Sequence, residues 1–112
     1  MAHEIVAHKC VRFYRDRHGG VPFEDWLNHM KDPHTRHRIN THIDRIRLGN
    51  LGDWKAVGGG VLELRMDFGP GYRLYIGQEG KEVIVLLIGG DKQSQTKDIR
   101  KAQEYWEDYR SK

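Results

Sequence analysis

The stretch Val61-Leu62-Glu63-Leu64-Arg65-Met66-Asp67-Phe68-Gly69-Pro70-Gly71-Tyr72-Arg73-Leu74-Tyr75-Ile76 decides the fold. Leu62, Leu64, Met66 and Phe68 alternate with Val61, Glu63, Arg65 and Asp67, the period-two pattern of a half-buried strand. After the Gly69-Pro70-Gly71 turn, Tyr72, Leu74 and Ile76 alternate with Arg73 and Tyr75. The core-facing residues are even-numbered on both strands, so facing partners must sum to an even number. Phe68 opposite Tyr72 satisfies this and leaves a three-residue loop in which Gly71 can take a positive φ. The register also gathers Glu63, Arg65, Arg73 and Tyr75 on the other face, and a one-residue slip would scatter them.

Downstream, Val83 to Ile88 is apolar throughout, as in a strand covered on both faces. Gln78 to Lys81, with Gly80, joins it to the preceding strand as a second hairpin. Beyond Gly89-Gly90, Ser94 to Tyr109 predicts a helix whose Ile99, Ala102, Trp106 and Tyr109 read as core contacts. Upstream, residues 4–14 predict a strand in which Ile5, Ala7, Val11 and Phe13 share one side. Pro22 opens a short helix with Phe23, Trp26, Leu27 and Met30 on one stripe. Asp32-Pro33 ends that segment and starts another, as a capping residue followed by proline at the first helical position. This second helix runs to about Leu48, buries Ile39, Ile43 and Ile46, and closes at Gly49. The order predicts an α+β domain over residues 1–112: an N-terminal strand, a helical hairpin, a curved, mainly antiparallel sheet of about four strands, and a C-terminal helix.

Composition narrows the class. A chain of 112 residues with 38% hydrophobic and 31% charged residues suits one small two-layer domain. The lone cysteine, Cys10, rules out an internal disulfide framework and points to a reducing, cytoplasmic setting. Cys10 itself, inside the first predicted strand, reads as a buried, inert thiol. The longest apolar run falls far short of the roughly 20 residues of a membrane span, and the N-terminus lacks the basic-then-apolar order of a secretory signal.

The net charge of +3 is unevenly placed. Residues 1–60 hold 10 basic and 7 acidic side chains, and residues 61–112 hold 9 of each. Arg36, Arg38, Arg45 and Arg47 crowd the second helix, either as a solvated face or as a surface for backbone phosphates. Trp54 beside Lys55, placed in a loop, can pack against the protein or stack on a base.

The richest chemistry lies on one sheet face. Arg65 and Arg73 present planar forks of donors suited to phosphate, and Lys92 follows the apolar strand. Together they can stabilise charge developing on phosphate oxygens, with Glu63 or Tyr75 available for proton transfer. Alternatively, the arginines simply pair with Glu63 on an exposed face. The glycine runs 58–60 and 89–90 lack a nucleotide-binding pattern, and no metal-ligand spacing occurs, so neither cofactor nor metal is expected.

Several motifs carry a resemblance. They are Leu48-Gly49-Asn50-Leu51-Gly52-Asp53-Trp54-Lys55, Val61-Leu62-Glu63-Leu64-Arg65, Gly69-Pro70-Gly71-Tyr72-Arg73-Leu74-Tyr75 and Leu87-Ile88-Gly89-Gly90-Asp91-Lys92-Gln93-Ser94-Gln95. From about Phe23 to Tyr105 the chain resembles the addiction-module killer proteins, HigB-type toxins of the RelE/ParE superfamily. The resemblance implies a RelE-like fold and a partner antitoxin, usually a helix-turn-helix DNA-binding protein, with a homodimer as a form free of antitoxin. It also implies metal-independent cleavage of mRNA on the ribosome, the ribose 2′-hydroxyl attacking the adjacent phosphate. Arg73 then matches the arginine that contacts the scissile phosphate, Lys92 the basic residue after the last strand, and Arg65 the basic end of the preceding strand. RelE carries two lysines where this chain has Val61 and Glu63, and its C-terminal tyrosine has no equivalent near Asp98. ParE-like members of the same superfamily bind DNA gyrase without cutting RNA.

Overall fold

The computed structural model describes residues 8–112. In chain order they form β1 (Cys10–Phe13), α1 (Pro22–Asn28), α2 (Pro33–Arg47), β2 (Asp53–Ala56), β3 (Val61–Arg65), β4 (Tyr72–Glu79), β5 (Val83–Asp91) and α3 (Gln95–Arg110). The expected first strand begins among residues outside the described range, Ile5 and Ala7 included.

Local chemistry fixes the helix ends. The Asp32 carboxylate caps α2, accepting from the His34 amide at 3.1 Å and the Thr35 hydroxyl at 2.9 Å. At the other end Gly49 turns left-handed, with φ of 89°. Its amide reaches the Ile46 carbonyl and that of Asn50 the Arg45 carbonyl, both at 2.9 Å, which satisfies two of the helix's open carbonyls.

The sheet is five-stranded and mixed, in the order β1-β5-β4-β3-β2. Only β1 and β5 run parallel. About four strands were expected; β2 is the addition. Its four residues, Asp-Trp-Lys-Ala, alternate polar and apolar but are all exposed, and a run of two such pairs after the 49–52 turn is too short to stand out from a loop.

The helices occupy both faces of this sheet, making three layers where two were expected. On one side Phe23 of α1 and Ile39, Ile43 and Ile46 of α2 pack against Leu64, Leu74, Ile76, Ile84 and Leu86. On the other, Ala102 and Trp106 of α3 pack against Val61, Tyr75, Val85 and Leu87. Full burial of each large apolar side chain is worth about 1.5–3 kcal/mol. Each face also seats a tryptophan directly on the backbone: a Cβ at Gly89 would lie 2.3 Å from the Trp26 ring, and one at Gly77 2.3 Å from the Trp106 ring.

The hairpin register keeps the expected parity with a different pairing. Arg65 faces Arg73 and Val61 faces Gly77, and the Met66 amide bonds to the Tyr72 carbonyl at 2.9 Å. Tyr72 therefore faces Met66, not Phe68, and the loop comprises residues 67–71 instead of three. A two-residue shift leaves every side chain on its expected face. In β5, Tyr75 pairs with Ile88 but Ile76 with Leu86, so Leu87 is an extra residue in a bulge. Leu87 and Ile88 both turn toward α3, and the bulge realigns the end of β5 beside Arg73.

Candidate functional site

The even-numbered register brings Glu63, Arg65, Arg73 and Tyr75 together, but beneath the start of α3 and not on an open face. Glu63 is completely buried. Its Oε2 accepts from the Tyr75 hydroxyl at 3.0 Å and from Gln95 Nε2 at 2.8 Å. Its Oε1 accepts from Arg65 Nε at 3.3 Å, and Arg73 Nε stands 3.6 Å from Oε2. Burial alone would raise the Glu63 carboxyl. The hydrogen bonds from Gln95, Tyr75 and Arg65, with the charge of Arg73, outweigh it and hold the group below the ordinary glutamate value. Burial and the facing carboxylate push the Tyr75 hydroxyl far above the tyrosine range. Glu63 is the anchor that aims two arginines, and Tyr75 is one of its donors.

Arg73 is itself 9% exposed. Its Nη1 donates to the Gly71 carbonyl at 2.7 Å; its buried Nε pairs with Glu63 by charge, without a hydrogen bond. Gly71, at φ of 80°, lies between Arg73 and the stem of Lys92. A Cβ there would sit 3.1 Å from Arg73 Nη1 and 3.4 Å from the Lys92 Cβ. Arg65, Arg73 and Lys92 line one open cleft of about 630 Å³, walled by the 67–71 loop and by Asp53 of β2. Three of the five proposed catalytic residues thus converge on one cavity, while Glu63 and Tyr75 lie behind it. The cations face two carboxylates, Asp53 and Asp67.

The loop carrying Lys92 is tied from below. Asp91 Oδ1 accepts from the Gln93 amide at 2.9 Å and the Ser94 amide at 3.1 Å. The Ser94 hydroxyl donates to Asp98, a buried carboxylate on the first turn of α3. Burial raises the Asp98 carboxyl, and the Ser94 bond opposes that. Gly90 is required beneath it, since a Cβ there would lie 1.8 Å from Asp98 Oδ2.

The basic helix face is divided. Arg36 donates to the Met30 carbonyl at 2.7 Å and so braces the α1–α2 junction. Arg47 pairs with Asp44 at 3.0 Å on the surface. Arg38 lies over the Phe68 ring, 3.8 Å from its centroid. With Arg45, His42, Thr41 and Asp67, Arg38 and Phe68 form a groove of about 260 Å³. Asp67 borders both this groove and the cationic cleft. Burial, then the nearby Arg45 charge, holds His42 below its ordinary value.

Trp54 and Lys55 lie on β2, not in a loop. Lys55 pairs with Glu63 and shares the cleft side, whereas Trp54 pairs with Leu64 and points to the α2 side. Trp54 is 51% exposed, so the packing role is not seen there. Cys10 is exposed, in contrast to the buried thiol expected, because β1 is an edge strand whose alternate residues face outward.

Gln95, Asp98, Ser94, Asp53 and Asp67 were missed as site residues. Gln95, Ser94 and Asp98 lie in or beside the quoted Gly89–Gln95 motif, a signal available in the sequence, but their approach to β4 and β5 depends on which face α3 covers. Among the described residues no group of three His, Cys, Asp or Glu side chains is arranged to hold a metal ion. No helix among them is long and apolar enough to cross a membrane.

The fold and cleft define a three-layer α+β protein with a cationic cleft at one end of its sheet. No family model matches the chain. An uncharacterized protein of Haemophilus influenzae is 43% identical over 82 residues, covering 73% of this chain and 83% of that protein. The chain belongs to the same family as that protein.

Proposed function

We propose that the chain is the toxin of a type II toxin–antitoxin module, a HigB-type member of the RelE/ParE superfamily, that cleaves mRNA on the ribosome without a metal. The supporting observation is the convergence of Arg65, Arg73 and Lys92 on one cleft around Gly71. Such a cleft suits a phosphate whose oxygens gain charge in the transition state. In the reaction the ribose 2′-oxygen bonds to phosphorus and the bond from phosphorus to the 5′-oxygen breaks. One product ends in a 2′,3′-cyclic phosphate and the other in a 5′-hydroxyl. Arginine cannot accept the 2′-proton; Asp53 and Asp67 are the carboxylates that line the cleft, and Lys92 can donate to the leaving oxygen. The groove bearing Arg38 and Arg45 supplies docking charge for ribosomal RNA. The function places the protein in the cytoplasm with a helix-turn-helix antitoxin.

A second function, non-enzymatic inhibition of DNA gyrase, is favoured by one observation: Glu63 and Tyr75 are hydrogen-bonded to each other behind the cleft, among the described residues. Primer extension on mRNA from cells expressing the chain separates the two. Discrete, codon-linked cuts support the interferase, and intact message with DNA damage supports the gyrase inhibitor.

A further inference from the structure

Strand β2 closes one edge of the sheet, and all four of its residues are exposed. Edge strands carry open backbone donors and acceptors and are usually blunted against pairing. Here the pattern invites it. Asp53-Trp54-Lys55 is self-complementary when laid antiparallel on itself about Trp54. Asp53 then faces Lys55 of the second copy, Lys55 faces its Asp53, and the two tryptophans meet on the opposite side of the sheet. Trp54 is one of two strongly exposed large hydrophobic residues among those described; Leu48, 55% exposed, is the other and precedes the turn into β2.

We propose that this edge is the interface of a homodimer, in which β2 pairs with β2 of a second copy across a two-fold axis and the two sheets become one of ten strands. An isologous contact requires one patch to complement itself, and opposite charges one residue either side of the axis meet that requirement. Charges of one sign would repel instead. Asp53 also walls the cationic cleft, so Lys55 of the second copy sits at the cleft's rim and offsets the carboxylate there. The inference concerns assembly alone and stands whether or not the chain cuts RNA.

Sedimentation of the purified chain and its charge variants tests it. The wild-type chain is expected to shift from 13.1 kDa toward twice that mass with rising concentration. Asp53→Lys and Lys55→Asp each place like charges across the axis and are expected to weaken the dimer about tenfold or more. An equimolar mixture of the two variants restores both ion pairs and is expected to recover the dimer as a heterodimer, which also shows that both variants are folded. A wild-type chain that stays monomeric up to about 1 mM overturns the proposal. So does a dimer that both single variants leave unchanged, or a mixture that fails to recover.

Discussion

The two faces of the sheet use the same strands for opposite purposes. Toward α1 and α2, the even-numbered residues of β3 and β4 meet a continuous apolar layer. Toward α3, the odd-numbered residues begin with Val61, in the apolar cluster of Trp106, and end as a charged network at Glu63, Arg65 and Arg73. The dry face depends on volume and tolerates no polar group without a partner. The polar end depends on geometry, because a buried carboxylate is stable there only while its donors remain. The chain therefore holds its strong charges behind a cleft, under the first turn of a helix, while the apolar layer on the other face supplies the hydrophobic core.

Breaking the polar end should have the largest effect. Glu63→Ala leaves the buried Arg73 guanidinium without its counter-charge and is expected to cost about 3–5 kcal/mol, read from the urea midpoint. Ile43→Ala on the dry face opens a cavity and is expected to cost about 2–5 kcal/mol. The two differ in pH response. The Glu63 carboxyl is lowered in the fold, so its contribution is present above the unfolded-state glutamate value and is lost as pH falls through the folded value. Urea midpoints measured down the acid range should therefore show a weaker acid limb in Glu63→Gln than in the wild type, whereas Ile43→Ala should lower the curve without changing its shape.

Smaller changes sharpen the contrast at the cleft. Gly71→Ala forces a side chain into a left-handed position 3.1 Å from Arg73 Nη1. It is expected to cost about 1–2 kcal/mol by thermal melt and to weaken growth inhibition more than that loss alone would. Lys92 is exposed, so Lys92→Ala should stay within about 0.5 kcal/mol of wild type while losing activity.

Much of this contrast was legible in sequence. Period-two patterning assigned Leu64 and Leu74 to one face and Glu63, Arg65, Arg73 and Tyr75 to the other, and Asp32-Pro33 marked the helix start. The pairing of Met66 with Tyr72 was not, because parity cannot distinguish registers two residues apart. The extra residue at Leu87 hid inside an all-apolar run, where a bulge has no compositional mark. The short strand β2 lacked any buried residue to signal it. Burial of Glu63 was invisible for a different reason: it depends on α3 crossing that face and on Gln95 reaching the carboxylate.

Lys92→Ala gives the most direct test of the central claim, that the cleft at Gly71 handles the phosphate of an RNA backbone. Messages from cells expressing the wild type and this variant are compared by primer extension, with melting curves to verify folding. The wild type should produce discrete cuts, and the equally folded variant should lose them. Cuts of equal strength in both, or intact message with the toxic wild type, would contradict it.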